Sequence, residues 1–447
     1  MRLPAPLTLL LLVAVFAVNI YRAATQGITI DEAFTYQHYV APPWYQVMTS
    51  YDVNHHVVNS LLAKVTTGLF GVSELTLRMP SLLGGLIYLL ALRAVLLYVF
   101  SAEWAIAAFA LLSLNPFVLD YLSAARGYGL ALGFLMSALW FFLRSEWYPA
   151  GLCCGLAAAS NLSFAYPAAG LAVMVMLADV TKKSFGPFLD RVFVPAAVIP
   201  FILYVLPVSR AYPEQFAYGA PTLISALQGY ADRTFLRKWS PFGGLVEPSA
   251  EGLAILIVFC NAVACVAILR NKSQTPADRL ILLNGGAMIV CLGITWLGHV
   301  TTGSGYPWTR SGLYWPVMIS LGGAALAARY VRIRALRWTA LTLPALCIGQ
   351  FLNEFEVSYY DEWRYDAGSK RVVAFILRKE ATGPLRIACS GQLQHSLRFY
   401  SVLNHAGWVI IDDPAAAAEF HVLMEEHFRR DLKLLYRDPV SHVVVMQ

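Results

Sequence analysis

The amino-acid sequence predicts an α-helical protein that crosses a membrane many times and ends in a small α/β domain. Three observations carry that prediction. Of the 447 residues, 58% are hydrophobic and 13% charged, where an average soluble domain has roughly 25% charged; the mean hydropathy is +0.58. Eleven apolar stretches recur up to residue 352, and from residue 353 the composition turns polar and charged. A soluble enzyme would need more solubilising side chains. Disorder is excluded by the abundance of apolar residues and the small net charge of +6.

A spanning helix needs about 20 mostly apolar residues. The stretches run approximately over 5–23, 82–100, 104–119, 127–143, 148–161, 163–178, 192–209, 252–269, 280–299, 313–328 and 338–352. Between the fifth and sixth, Asn161 and Pro167 mark either a turn or a break in one long helix. The first stretch has a second reading as a cleaved leader, with Arg2 as its charged region and Arg22-Ala23-Ala24 near a cleavage site. With the N-terminus inside, alternate loops carry Arg144, then Lys182, Lys183 and Arg191, then Arg270, Lys272 and Arg279, then Arg329, Arg332, Arg334 and Arg337. Those are cytoplasmic loops by the positive-inside rule. The basic balance is therefore mostly topology, and it gives no support to a nucleic-acid partner. Six of the seven cysteines (153, 154, 260, 265, 291 and 347) lie in apolar runs and Cys389 in a polar one, with no disulfide or zinc spacing.

Three polar regions fall on the outer face: 24–81, 210–251 and 353–447. An odd number of spans places the last of them outside, after a transmembrane domain of 1–352. In that tail, alternations at 385–388, 408–411 and 442–445 predict strands, and 369–380, 393–403 and 425–435 predict helices. The run Ala415–Ala418 reads as a helix start.

Charge near a bilayer is costly, so the charges kept at outer helix ends are informative. Asp31-Glu32 follow the first span directly. Two adjacent, partly buried carboxylates suit a general base, because burial and a like-charged neighbour raise one pKa; the plainer reading is a helix cap. In Asn54-His55-His56-Val57-Val58-Asn59-Ser60, two histidines and two asparagines suit a metal, phosphate or sugar hydroxyls, or simple exposure. Arg78 enters the second span as a headgroup anchor or a site residue. Asp120 and Arg126, with Tyr128 close by, either pair with each other or supply an acid and a forked phosphate donor. Arg310, in Gly303-Ser304-Gly305-Tyr306-Pro307-Trp308-Thr309-Arg310, brings a further arginine to the same face.

In order, Asp31-Glu32, Asn-His-His-x-x-Asn-Ser at 54–60, Leu-Arg-Met-Pro-Ser-Leu-Leu at 77–83, Asn-Pro-Phe at 115–117 and Ala-Arg-x-Tyr at 125–128 resemble the GT-C glycosyltransferases. The likeness is nearest to the bacterial branch related to protein O-mannosyltransferases and lipid A aminoarabinose transferases, and it is specific over about 25–145. It implies an inverting transferase of the bacterial cytoplasmic (inner) membrane that uses a polyprenyl-phosphate sugar at its outer, periplasmic face. The acceptor is left open among protein, lipid and polysaccharide. The resemblance makes Asp31 the general base with Glu32 beside it. It puts His55 or His56 at the donor or acceptor pocket, with Asn59 following in register, and turns Arg126 and Arg310 toward the lipid phosphate. Relatives often carry Gln-Glu-Ala-Arg-x-Tyr where this chain has Ser123-Ala124-Ala125-Arg126-Gly127-Tyr128. Asp120, about one helical turn earlier, stands in for the missing acid. The departure leaves a divalent cation open and no other cofactor implied. Two other classes compete: a transporter or flippase for a lipid-linked substrate, which would place charges near the midplane and show repeats, and a non-catalytic assembly factor.

Overall fold

The computed structural model describes residues 4–52, 54–180, 183–212, 219–240, 243–270, 274–331, 333–379 and 384–447. Arg2, Lys182, Lys272 and Arg332 of the expected charge pattern lie outside the described residues. The helices are α1 Pro4–Thr25, α2 Ile30–Thr35, α3 Trp44–Thr49, α4 Val57–Phe70, α5 Glu74–Val99, α6 Ala102–Ser113, α7 Pro116–Tyr121, α8 Tyr128–Leu143, α9 Trp147–Ser160 and α10 Ala165–Asp179. They continue as α11 Phe185–Phe188, α12 Val194–Val208, α13 Leu223–Phe235, α14 Gly243–Leu269, α15 Pro276–Leu280, α16 Gly286–Thr302, α17 Tyr314–Tyr330, α18 Arg334–Glu354, α19 Ser369–Lys379 and α20 Gln394–Leu403.

The eleven apolar stretches are largely helical, but the third, 104–119, breaks at Leu114-Asn115 between α6 and α7. Among the described residues, seven helical runs are long and apolar enough to cross a membrane: 5–25, 74–99, 162–179, 185–208, 243–269, 276–302 and 309–330. The chain is thus a multi-pass membrane protein. The other four stretches fall short of that standard. α6, α8 and α9 have 12, 16 and 14 residues, and α18, although 21 residues long, carries Arg337 within its first turn and Glu354 at its end. Between α9 and α10 the chain does turn: Asn161 is extended, and its Oδ1 accepts from Ser163 N at 3.0 Å. Pro167 sits in the first turn of α10, where a missing N–H costs nothing. α1 packs along α5 and α6, and Arg22 near its end is fully buried in an ion pair with Asp120.

α5 is the hub, packed against α1, α4, α6 and α8. Small residues make its contact with α8 close. A Cβ on Gly84 would meet Leu130 N at 2.3 Å, and one on Gly133 would meet Gly84 O at 2.5 Å. Between helices in lipid, where apolar burial drives nothing, such backbone approach provides the packing. The second span also begins earlier than its apolar core suggests. Ser73 caps α5 in a capping box with Thr76, so Arg78 lies inside the helix.

The bundle has two chemically different ends. At one, Arg279 pairs with Asp179 at 2.6 Å, Arg329 with Asp278 at 2.6 Å, Arg337 with Glu103 at 2.8 Å and Arg144 with Glu146 at 2.8 Å. These are arginines of the predicted cytoplasmic loops. At the other end lie the first loop, α7, the residues before α17 and the C-terminal segment.

That segment holds a five-stranded sheet, β1 Arg386–Cys389, β2 Val409–Ile411, β3 Phe420–Leu423, β4 Leu434–Arg437 and β5 Val444–Met446, in the order β2-β1-β3-β5-β4. β1 is parallel to β2 and β3, with Ile387 opposite Ile410 and Phe420, and β5 runs antiparallel to β3 and β4. α19 and α20 pack with it around Val372, Ile376, Leu397 and Phe399. Two expectations are corrected here, and one strand is added to them. Residues 425–435 form a short 3-10 turn, Glu425–His427, and the start of β4. Ala415–Ala418 is a turn into β3, because the run is too short to nucleate a helix. β3 itself carries no alternation to betray it, being buried at all four positions as a central strand.

Gly133→Leu is expected to prise α8 from α5 and cost at least the roughly 1–3 kcal/mol of an overpacked core. Gly293→Ala, with nothing within 4 Å of its Cβ, is expected to leave the melt unchanged or raised. Thermal unfolding and size exclusion of the two proteins in detergent check the difference.

Candidate active site

The site forms where α2, the residues before α8 and α17, and the segment after α18 meet. α2 begins with a capping box: the Thr29 side chain accepts from Glu32 N, and Glu32 Oε2 accepts from Thr29 N at 2.9 Å. Glu32 is fully buried, and both its oxygens are saturated. Arg78 donates to them from Nε at 2.8 Å and Nη2 at 2.6 Å, and Ala125 N donates at 2.5 Å. The remaining donors of Arg78 go to the carbonyls of Ala23, Gln26 and Gly27. With five donors used and no exposure, Arg78 is neither a headgroup anchor nor open to a substrate. Glu32 likewise fastens the loop and has no lone pair left for a proton.

Asp31 is the acid that remains. Its Oδ2 lies 2.6 Å from Arg310 Nη1 and 3.8 Å from Arg126 Nη2, and the Trp363 indole N–H donates to it. Burial pushes the Asp31 pKa up, but Arg126 and Arg310 outweigh it and hold the carboxyl below its ordinary range. Arg310 is shared: its Nη1 also donates to Glu362 Oε1 at 3.0 Å, and the Tyr121 hydroxyl donates to Glu362 Oε2. Arg126 donates to Asn54 Oδ1 at 2.9 Å, and its Nε is buried without a partner among the described residues. Gly127 permits this crowding, since a Cβ there would lie 2.0 Å from Ser160 O and 2.8 Å from the His56 Cβ.

The two histidines close one side. His55 stacks on Tyr39 at 3.7 Å, and its Nδ1 meets Ser50 O at 3.0 Å. His56 packs edge-on to Tyr128 at 5.1 Å. Burial draws His55 down to about 4 and His56 well below its ordinary value, with Arg126 adding to the second effect. Both rings are neutral near pH 7, and each has a buried Nε2 with no partner among the described residues. Asn59 is fully buried and joins Ala125 O and Ser81, behind the site.

Asp120 does not reach Arg126. It is bound by Arg22 at 2.5 Å, Arg237 at 2.9 Å and Asp361 N at 3.2 Å. Neither of its expected roles, partner of Arg126 or second acid of the site, fits that position. Glu362, absent from the sequence-based expectations, stands closer to Asp31 through Arg310. Its signal was available: Tyr359-Tyr360-Asp361-Glu362-Trp363-Arg364-Tyr365-Asp366 follows the last apolar helix as Asp31-Glu32 follow the first. As to a metal, no group of three or more His, Cys, Asp or Glu side chains among the described residues is placed to hold one. Asp31 and Glu362 are committed to arginine, a cationic partner already in place, so the donor set does not fit a divalent ion.

Toward the bundle, α6, α13, α14, α17 and α18 enclose an apolar cavity of 670 Å³, lined by Trp104, Leu227, Tyr230, Ile257 and Phe351 among others. The hydroxyl of Tyr230 donates to Pro307 O, three residues before Arg310.

No protein-family model matches the chain, and no curated protein sequence matches it. Among solved structures, the chain is similar to ArnT from Cupriavidus metallidurans in the apo state, with 14% identity and a TM-score of 0.48 over 98% of this chain and 97% of that one. The same protein bound to undecaprenyl phosphate matches at 14% and 0.45 over the same shares. The arabinofuranosyltransferase AftD from Mycobacteria matches at 13% and 0.46, over 97% of this chain and 39% of that one.

Glu32→Gln would leave the Arg78 guanidinium buried beside a neutral amide. Breaking a buried pair from one side costs about 3–5 kcal/mol, so the variant is expected to melt far below the parent or fail to assemble. Glu32→Leu combined with Arg78→Met should recover part of the loss, as read by a double-mutant cycle of melting temperatures.

Proposed function

We propose that this chain is an inverting GT-C glycosyltransferase that moves a sugar from a polyprenyl-phosphate donor to an acceptor hydroxyl at the outer face of a bacterial cytoplasmic membrane. In this reading the eleven helical stretches all span, the N-terminus is cytoplasmic and residues 353–447 are an extracytoplasmic domain. The observation that carries the proposal is the nearly buried Asp31 carboxylate between Arg126 and Arg310, beside two neutral histidines with unpartnered Nε2 atoms. It lies at the end of the bundle opposite the basic loops. The ordered motifs of residues 31–128 support the same reading. Charges gathered at one set of helix ends, away from the midplane, disfavour a transporter.

The chemistry follows from these groups. The acceptor oxygen attacks the anomeric carbon on the face opposite the phosphate, and its proton passes to Asp31. The bond from that carbon to the phosphate oxygen breaks, and the electron pair leaves with the phosphate. The transition state resembles an oxocarbenium ion, as in glycoside hydrolysis. The departing phosphomonoester gains negative charge, which Arg126 and Arg310 can stabilise away from bulk water. The apolar cavity beside Tyr230 is suited to part of the donor's isoprenoid chain.

An ionised Asp31 held low by two arginines is a weak base, and the shared Arg310 supplies the remedy. A donor phosphate competes for the Arg310 guanidinium. As Arg310 turns to it, Asp31 keeps its burial and loses its nearest cation, so its pKa rises and the base strengthens. Donor binding thereby arms the acid–base group.

Two outcomes test the proposal. Asp31→Asn is expected to lose on the order of 10²–10⁴-fold in transfer of radiolabel from a polyprenyl-phosphate sugar, with donor binding retained; near-normal turnover would sink the assignment. In the pH profile, the acid limb of kcat, which reports the bound enzyme, is expected at higher pH than that of kcat/KM, which reports the free enzyme. The sign follows because the free site holds Asp31 below its ordinary value and the bound site lets burial raise it. Coincident limbs would remove the role given to Arg310.

A further inference from the structure

We infer that Phe34, His38 and His395 form the acceptor subsite, and that the acceptor presents a sugar ring to it. The inference rests on the glycosyl-transfer reading and adds the acceptor's chemical class.

The placement begins with local geometry. Asp31 and Phe34, three residues apart on α2, share one helix face. After Thr35 the backbone continues as a π-helical turn, Tyr36–Val40. Such turns are rare and re-aim side chains, often at functional sites. Here the turn carries Tyr39 inward onto His55 and sets His38 over Phe34 at 4.0 Å, with 26° between the rings. His395, from the start of α20, meets Phe34 edge-on at 5.2 Å and His38 at 5.7 Å. Gln37 holds His395 from two sides, donating from Nε2 to its carbonyl at 2.9 Å and accepting at Oε1 from its Nδ1 at 2.7 Å. The three rings are half-buried, so the cluster has an open side.

Hydrogen-bond accounting then selects the ligand. The Nδ1 of His38 lies 2.9 Å from Phe34 O, and that of His395 faces Gln37 Oε1, so each Nδ1 must carry the proton and donate. Burial and the neighbouring His38 bring His395 down to about 4, which keeps it neutral. In the neutral His395 ring, whose Nδ1 donates, Nε2 is an acceptor. Neither Nε2 has a partner among the described residues. Next to His395, Asp412 at the end of β2 is a further acceptor, bound on one oxygen by Gln394 at 3.0 Å. A half-buried aromatic cluster flanked by acceptors calls for a ligand with an apolar C–H face and several hydroxyl donors. A sugar ring has both; a serine or threonine side chain has one hydroxyl and no ring.

The test uses the full chain in lipid nanodiscs, a polyprenyl-phosphate sugar as donor and octyl β-glucoside as the acceptor probe. Phe34→Leu and His38→Ala are each expected to raise the KM for the glucoside about tenfold or more, the loss of roughly 1.4 kcal/mol of binding, with donor KM held within about twofold. Phe34→Tyr, which keeps the ring, and His38→Gln, which keeps an acceptor, should recover much of the loss; a merely structural role would move the melting temperature and both KM values together. Unchanged acceptor KM in both variants, or preference for a serine-containing peptide over the glucoside, overturns the inference. If the wild type turns over no such donor, the transferase reading fails by itself. Saturation-transfer NMR of octyl β-glucoside then decides this one: signal lost in Phe34→Leu supports it, and equal signal overturns it.

Discussion

The buried pair of Glu32 and Arg78 is the constraint from which the active end of the molecule is built. Moving two charges out of water is expensive, and their attraction repays it only when every remaining donor and acceptor is used. Here all of them are: Glu32 accepts four hydrogen bonds and Arg78 donates five. The partners come from the end of α1, the turn before α2, α5 and the turn before α8. One interaction thus fixes four chain segments, and a partly formed version would be worse than none. Asp31 is the neighbour of Glu32 on a six-residue helix, so the same lock determines where its carboxylate can point.

Two carboxylates side by side have therefore been given opposite work by their surroundings. Glu32 is dry, bidentate and saturated. Asp31 keeps a small exposed edge, and its main cation is shared with Glu362. A shared arginine is easier to draw away than a saturated one, since Glu362 and an incoming anion can divide the guanidinium between them. That difference in commitment separates a fastening from a reactive group, and it is invisible in the dipeptide.

Legibility in the sequence follows the range of the interactions concerned. Apolar length is local, so the eleven apolar stretches could be read directly, as could β1, β2, β5 and two helices of the tail, whereas α4 and α13, in the polar outer regions, were not. Asp31, Arg126 and Arg310 were readable as charges stranded at helix ends. What each one touches was not. Asp120 pairs with Arg22 and Arg237, 98 residues before it and 117 after, where proximity in sequence favoured Arg126. Arg78 looked like a surface anchor because its burial depends on carbonyls released by the end of α1. β3 was missed because a strand buried on both faces lacks the alternation that reveals one. Ala415–Ala418 misled in the other direction, since helix propensity without length or packing does not make a helix.

The boundary drawn at residue 353 is a change in composition, and it does not divide the chemistry. Just beyond it, Glu362 binds Arg310, Trp363 donates to Asp31, and Asp361 N supports Asp120. Asp366 accepts from Ile30 N at 2.6 Å, at the start of the helix that carries Asp31. Burial pushes the Asp366 carboxyl well above its ordinary value, and Asp31 and Glu32 nearby push the same way. A neutral acid can sit there without repelling Asp31, whereas a third buried anion would compete for Arg126 and Arg310. The segment after the last apolar helix is thus part of the wall of the site. The sheet beyond it gives that wall a rigid backing: α20 reaches back through Tyr400, whose hydroxyl accepts from Ile28 N and donates to Glu74. Movement of this layer relative to the bundle would change the position of Asp31, the charge around it and the aromatic cluster on the same helix face together, so the tail and the bundle have to be treated as one functional unit.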